Sequence, residues 1–398
     1  HFNFLDWNEF LKPYWEQSGG GSLLIEELAI ERVQINEFLF QDMMVSGHSM
    51  ESEYLLTFAG DRLAGSIKFG DSDQIALDID RLLLPVYNDY AAVDEPSKKN
   101  WALDDPISPE IGAMLPRMSL SIDSIFLGTE DYGSWSFNLE PDVAGIELTS
   151  VDGSIRGISF KEASVKWDYQ NNRTSFANEL SIIDLGKALP LWGFAPGVET
   201  SSLAMNVDLS WPGSPVNVEL FSTEGEVAVQ AGAGRFLDEE TSANGLRLLS
   251  IFTPYAIMKR INNFDFSDII GEGMSFDSLS GTTQISYGEL EFTQPLIVES
   301  RSSTFEFGGK ISLIDDSLNN EMIVTLPVSK SLPWYGLYLA LANPVAGLGV
   351  VIGEQILRKP IEQFSSAKFQ IEGTFEDPSV RFQSLWDTEI ALPPKTSE

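Results

Sequence analysis

The sequence predicts a mainly β protein laid out as a long antiparallel meander. Apolar and polar side chains alternate with a period of two in segment after segment, turn residues punctuate the runs, and helical spacing is confined to a few stretches. Period two puts every second side chain on one face of a strand. Trp135, Phe137 and Leu139 alternate with Ser134, Ser136 and Asn138, and Met205, Val207, Leu209 and Trp211 with Asn206, Asp208 and Ser210. Ile75, Leu77 and Ile79 repeat the pattern, as do Met118, Leu120 and Ile122, and Val216, Val218 and Leu220. Further on, Phe305, Phe307, Ile311 and Leu313 oppose Glu306, Lys310 and Ser312, and Met322, Val324 and Leu326 continue the series. Roughly twenty such segments have lengths typical of antiparallel strands. Asp152-Gly153, Asn171-Asn172, Tyr287-Gly288 and Gly308-Gly309 sit where hairpins or bulges are expected. A sheet of that many strands with one apolar face must roll up, pair with a second sheet, or keep that face covered by something other than water.

Taken in chain order, residues 1–22 read as an N-terminal helix over Phe4 to Trp15 and a glycine-rich connector, Ser18 to Ser22. Strands fill 23–84. Residues 85–117 crowd acidic residues, Pro and Asn without period, as an excursion loop and internal boundary does. Strands resume over 118–240, and 241–264 carries Leu246, Leu249, Ile251, Tyr255, Met258 and Ile261 at helical spacing with a bend at Pro254. After more strands in 265–330, the stretch 331–364 reads as an apolar helical hairpin, and 365–398 as closing strands and a tail. No residue between Lys330 and Glu354 is charged. Pro344, Asn343 and the glycines there argue against a single spanning helix, leaving a buried, capping or membrane-touching hairpin. Trp334, Tyr335 and Tyr338 resemble an interfacial belt, so Trp334, Tyr335, Leu337, Tyr338 and Leu341 are the membrane-contact candidates.

Composition excludes several functions. With 59 acidic and 25 basic side chains, the formal charge of −34 repels phosphate backbones, so nucleic acid is excluded as a partner. It also repels an anionic membrane, so membrane contact must be apolar. There is no cysteine, and His1 and His48 are the two histidines, so thiolate chemistry, His-based zinc sites and Ser-His-Asp triads lack their residues. An enzyme would need paired carboxylates or an oxygen-ligated metal. Asp104-Asp105, Glu239-Glu240 and Asp315-Asp316 fall in expected loops or helix starts, and Asp265, Asp268, Glu272 and Asp277 around Gly271 and Gly273 read as a capped turn. No catalytic residue, metal site or cofactor is assigned. The chain opens at His1 without a positive, then apolar, leader, so it reads as a fragment whose targeting signal lies upstream.

Several segments of the second half resemble the C-terminal part of YhdP-like members of the AsmA-like family, in the family's order. They are Leu209-Ser210-Trp211-Pro212-Gly213-Ser214-Pro215, the glycine-rich Gly232 to Leu237, and above all Asp265-Phe266-Ser267-Asp268-Ile269-Ile270-Gly271-Glu272-Gly273-Met274-Ser275-Phe276-Asp277-Ser278-Leu279. Ser331-Leu332-Pro333 and Gly373-Thr374-Phe375-Glu376-Asp377-Pro378 resemble its closing elements, whereas Asp238-Glu239-Glu240 stand where the family has a more basic helix.

The resemblance implies a meander rolled into an elongated β-groove, with a few helices at its C-terminal end. It also implies a non-enzymatic carrier of phospholipid between membranes that supports outer-membrane lipid homeostasis. Such a protein resides in the periplasm, anchored to the inner membrane through an N-terminal segment missing from this chain. Phospholipid acyl chains are the partner, with outer-membrane contact through 331–353. The physical case is that taking a two-chain phospholipid into water costs roughly 25 kcal/mol at about 0.8 kcal/mol per CH₂, whereas a continuous apolar face lets the chains slide. The groove candidates are Trp135, Phe137, Leu139, Met205, Val207, Leu209, Val216, Val218, Leu220, Phe305, Phe307, Ile311, Leu313, Met322, Val324 and Leu326. The alternative is a structural or interaction β-sandwich of the cell envelope, in which the same side chains form a dry core.

Overall fold

The computed structural model describes residues 24–35, 38–50, 53–70, 74–84, 105, 107–192, 197–218, 220–237, 274–301, 303–327, 364–374, 377–385 and 389–390. The N-terminal helix and connector, the helix expected over 241–264 and all of the hairpin expected over 331–364 except Phe364, which opens a strand, lie outside them, and with them Trp334, Tyr335, Leu337, Tyr338 and Leu341. The chain divides into two compact units, one made of His1–Asn178 with Trp211–Val218, the other of Glu179–Ser210 with Glu219–Glu398. Both are mainly β.

In the first unit, β1 (Leu24–Ile35), β2 (Phe38–Met50), β3 (Glu53–Ala59), β4 (Leu63–Gly70) and β5 (Ile75–Leu84) form an antiparallel meander. The next step is parallel: β6 (Met118–Ile122) lies beside β5 with Ile75 opposite Met118 and Ile79 opposite Ile122, and β7 (Ile125–Leu127) continues along the same strand. A parallel neighbour requires the chain to re-enter at the end where the first strand began. The sheet is therefore mixed. β8 (Glu130–Asp131) folds back on β7, and β9 (Trp135–Asp142), β10 (Gly145–Ile155) and β11 (Ile158–Asp168) resume the antiparallel order. The β10–β11 turn is Arg156-Gly157, with φ of 47° and 84°, the doubly left-handed backbone that matches the twist of a two-residue hairpin. Asn171-Asn172 turns the chain into β12 (Arg173–Ile182), where the Asp168 carboxylate accepts from the Gln170 backbone N–H at 2.8 Å. Asp152-Gly153 lies at a shift of pairing register, the bulge alternative of the sequence reading.

In the second unit, β14 (Leu203–Pro212), β15 (Glu224–Ala231), β18 (Ser278–Ser286), β19 (Glu289–Glu299), β20 (Thr304–Ser312), β21 (Ser317–Pro327), β22 (Phe364–Thr374) and β23 (Pro378–Leu385) pair antiparallel in that order. The unit-two part of β14 ends at Ser210. A separate three-stranded sheet joins β13 (Val198–Thr200), β16 (Gly234–Phe236) and β17 (Met274–Phe276). Tyr287-Gly288, with φ of 49° and 81°, closes the β18–β19 hairpin as its sequence requires. A short helix, Leu185–Leu191, is capped by Asp184, whose carboxylate accepts from the Lys187 backbone N–H at 3.1 Å.

Two readings of the sequence need correction. Val216, Val218 and Leu220 do not alternate along a strand. Pro212 and Pro215 supply no N–H to a ladder and Gly213 takes a φ of +91°, so the chain turns after β14 and Leu220 opens a 3₁₀ turn, Leu220–Ser222. Val216 and Val218 are left 60% and 58% exposed. Gly308-Gly309 is neither hairpin nor bulge, because the β20–β21 register runs unbroken from Thr304 opposite Thr325 to Ser312 opposite Ser317. There the missing side chains make room: a Cβ on Gly308 would sit 2.6 Å from the Ile390 side chain, and one on Gly309 2.5 Å from the Asn319 carbonyl.

Candidate functional site

The sheet of the first unit has two chemically opposite faces, and the strand register shows how each is assembled. On one face Leu56, Ile67, Leu77, Leu120 and Phe137 lie opposite one another on β3, β4, β5, β6 and β9. Two residues further along the strands runs a second row, in which Phe58, Gly65, Ile79, Ile122 and Trp135 follow one another. Ile75, Met118, Leu139 and Leu148 make a third. One position over, on the opposite face, the matching row is Ser46, Thr57, Ser66, Asp78, Ser121, Ser136 and Asp152. Five strands at about 4.8 Å give the first apolar row a length of about 19 Å.

Exposure distinguishes this apolar face from an ordinary core. Leu56, Ile67, Leu77, Leu120 and Phe137 are all only partly buried. Large apolar side chains left partly in water along several successive strands form a lane with hydrophobic free energy still to be gained, at about 25 cal/mol per Å² covered. The second row is closed at one end by Trp135 and Phe160, whose ring centroids are 4.8 Å apart over Gly153. The third row is partly covered: Leu139, Ile146 and Trp167 form a small core against which Ile107 and Leu115 pack.

The second unit presents the other case. Phe305, Phe307, Ile311, Met322 and Val324 point to one face of β20 and β21, as the alternation requires, and cross-strand partners Leu296, Val298, Ala367, Phe369 and Phe382 extend it. These five candidates are at most 5% exposed. They belong to one core with Val198, Phe236 and Phe276 of the three-stranded sheet, and Leu313 packs at its margin. Phe292 and Phe307 meet edge to face with ring centroids 5.5 Å apart, and Phe236 and Phe276 pack with tilted rings at 5.1 Å. Val207 is buried on β14 while Met205 and Leu209 are partly so; the Leu326 side chain lies outside the described residues. The reverse face is also covered at one place: Lys368 pairs with Glu321 at 3.0 Å and donates to the Glu389 carbonyl at 2.9 Å, beside the Ile390 that fills the notch at Gly308. Glu306, flanked by Ile297 and Ile323, is held above the usual carboxylate range by desolvation.

Most of the sequence candidates outside β14 thus fall in three places. Trp135, Phe137 and Leu139 join the half-open lane, the five of β20 and β21 join a packed core, and Val216 and Val218 join a turn. Leu56, Phe58 and Ile67 belong to the lane and were not singled out, although Tyr54, Leu56, Phe58 and Gly65, Ile67, Phe69 alternate in the sequence. Among the described residues no group of three or more His, Cys, Asp or Glu could hold a metal ion. Asp315 accepts from the Ser317 hydroxyl at 2.8 Å in a turn, and those hydroxyl contacts, from Ser312 first, hold its carboxyl below the usual range. Among the described residues no helix is long and apolar enough to cross a membrane, which does not bear on spanning by strands.

Comparison with known proteins places these features in a family. No solved structure matches the chain. A curated relative, the intermembrane phospholipid transporter YhdP of Escherichia coli (strain K12), is 29% identical over 244 residues, 60% of this chain and 19% of that protein. The match thus spans about a fifth of the relative's length. The family profile described as YhdP protein matches residues 1–380, so the chain belongs to the YhdP family.

Proposed function

We propose that the apolar face of β3–β6 and β9 carries the acyl chains of phospholipid, and that the protein moves such lipid between membranes without catalysis. The observation that carries this reading is the partial exposure of Leu56, Ile67, Leu77, Leu120 and Phe137 in unbroken cross-strand register, backed by a row of Ser, Thr and Asp. A dry sandwich core would have buried them. An acyl chain along the row removes the remaining apolar area from water, while the headgroup stays hydrated beyond the strand ends. No step needs a reactive group, since only contiguity of apolar contact is required. The relative's description as an intermembrane phospholipid transporter supports this substrate class. It also supports a place in the cell envelope, where the chain would serve outer-membrane lipid homeostasis as part of a longer groove anchored at the inner membrane. The face of β20 and β21 is by this account a packed body, consistent with its burial.

The test is native mass spectrometry with lipid extraction on the chain purified from a lipid-containing host, beside a Leu77→Asp/Phe137→Asp variant. Phospholipid bound to the parent and lost from a folded variant supports the lane. A folded parent that carries no lipid, and takes none up from vesicles, contradicts it.

A further inference from the structure

The third apolar row of the lane is covered by a piece of the same chain, and the way that piece is held suggests what it does. Residues 107–115, including the short helix Pro109–Gly112, lie on the apolar face, with Ile107 and Leu115 against Leu139, Ile146 and Trp167. Gly112 sits so close to the aromatic floor that a Cβ there would be 2.6 Å from the Tyr169 hydroxyl and 2.7 Å from the Trp167 ring. The segment is pinned from one end. The Asp105 carboxylate accepts from the backbone N–H and the hydroxyl of Ser214, both at 2.6 Å, and from the Ile107 N–H at 3.1 Å. Ser214 is held in turn, because its carbonyl accepts from the Trp211 indole at 3.0 Å, while Gly213 donates to the Asn172 carbonyl at 2.7 Å and accepts from the Thr174 hydroxyl at 2.7 Å. The Trp-Pro-Gly-Ser turn that removed Val216 and Val218 from the sheet is therefore the anchor post for this segment.

The seat is incomplete. Among the described residues the buried Tyr169 hydroxyl beneath the segment has no hydrogen-bond partner, a cost comparable to a lost hydrogen bond that hydration would relieve on opening. Ile111 and Met114 remain 49% and 62% exposed, so only part of the segment's apolar surface is spent on the floor. A strong clamp at one end and a costly, partial seat describe an element that can lift while staying attached.

The geometry points to residues 107–115 as a strap that competes with lipid for the apolar face, with Asp105 and Ser214 as its positioning residues. This rests on the lane reading, since it adds that an acyl chain reaching Met118, Leu139 and Leu148 must displace Ile107 and Leu115. The strap then sets how far lipid advances across β6, β9 and β10 before the protein opens.

Three variants and two readouts test it in the whole chain. Asp105→Ala removes the clamp and Gly112→Leu obstructs the seat without touching the clamp. Hydrogen exchange of the 107–115 amides should accelerate roughly tenfold or more in each, with β3 and β4 unchanged. Loading the parent with a diazirine-tailed phosphatidylethanolamine from vesicles should accelerate the same amides. For the second readout, Gly112→Cys/Tyr169→Cys, which ties the seat rather than the clamp in a chain with no other cysteine, is bridged with a short bis-methanethiosulfonate cross-linker, whose two disulfides form with loss of methanesulfinate and open on reduction. Photo-adducts should then persist at Leu56 and Leu77, vanish at Met118 and Leu148, and return on reduction. Adducts at Met118 and Leu148 that are equal in bridged and reduced protein, or a strap that stays protected in loaded parent, would overturn the strap alone. Absence of lipid adducts from every form would overturn both the strap and the lane on which it rests.

Discussion

Replacing Phe307 with Asp separates a packed core from an open groove, because the two demand opposite outcomes. Phe307 is 5% exposed, lies opposite Leu296 on β19 and Met322 on β21, and meets Phe292 edge to face. Removing the ring from such a site costs about 3–5 kcal/mol. Placing a carboxylate among these neighbours adds a desolvation penalty of several kcal/mol, or the proton uptake that avoids it. The sum, about 6–8 kcal/mol, is comparable to the whole stability of a typical domain, about 5–15 kcal/mol. At about 2–4 °C per kcal/mol for a unit of this size, melting should fall by at least about 12 °C, or the second unit should not fold at 25 °C. By contrast, Leu77→Asp/Phe137→Asp alters partly exposed positions where a carboxylate keeps much of its water, so the loss should be about 1–3 kcal/mol and the fold should survive. The assay is thermal unfolding followed by near-ultraviolet circular dichroism, with hydrogen exchange resolving β19–β22 from β2–β5. A Phe307→Asp variant that melts within about 3 °C of the parent and loses bound lipid would refute the reasoning and restore the groove to the second unit.

Other expectations follow from particular contacts. Burial holds the Glu306 carboxyl above its ordinary value of 4.5, so the folded state keeps that proton longer than the unfolded chain and stability falls as pH rises through that interval. Glu306→Gln should therefore raise the melting temperature at pH 7 and leave it unchanged below about pH 3, where both states are protonated; an equal gain at both pH values would point to packing instead. Gly288→Ala forces a left-handed backbone, φ 81°, on a residue with a Cβ that meets Phe221 at 2.7 Å, and should cost about 1–2 kcal/mol in denaturant unfolding. Gly308→Val should push Ile390 off the sheet and cost about 1–3 kcal/mol by overpacking, read as a lower unfolding midpoint.

Alternation in β6, β9, β20 and β21 is plain in the sequence because period two is a local property, and so is the Tyr287-Gly288 hairpin, whose backbone needs those residue types. What covers an apolar face is not local. Phe137 and Phe307 sit in equally regular alternating runs, yet one is partly open and the other lies under Val198, Phe236 and Phe276, which are distant in sequence. The parallel step between β5 and β6 depends on where the chain re-enters after residues 85–117, which no spacing records. Asp105 was visible as one of a pair of acids in a loop, but its partner Ser214 lies more than a hundred residues away, with |i−j| of 109. Val216 and Val218 misled because two valines at spacing two outweighed the Pro212-Gly213-Ser214-Pro215 run before them, which ends a strand by removing its donors.

The most direct measurement of the central claim is face-resolved cross-linking. The chain is loaded with a phospholipid carrying a diazirine in its acyl tail, irradiated, digested, and the adducts assigned by residue. The account expects adducts at Ile67, Leu77, Leu120 and Phe137 and none at their polar neighbours Ser66, Asp78, Ser121 and Ser136 on the other face. Adducts on both faces alike, or confined to the β20–β21 face, would contradict it.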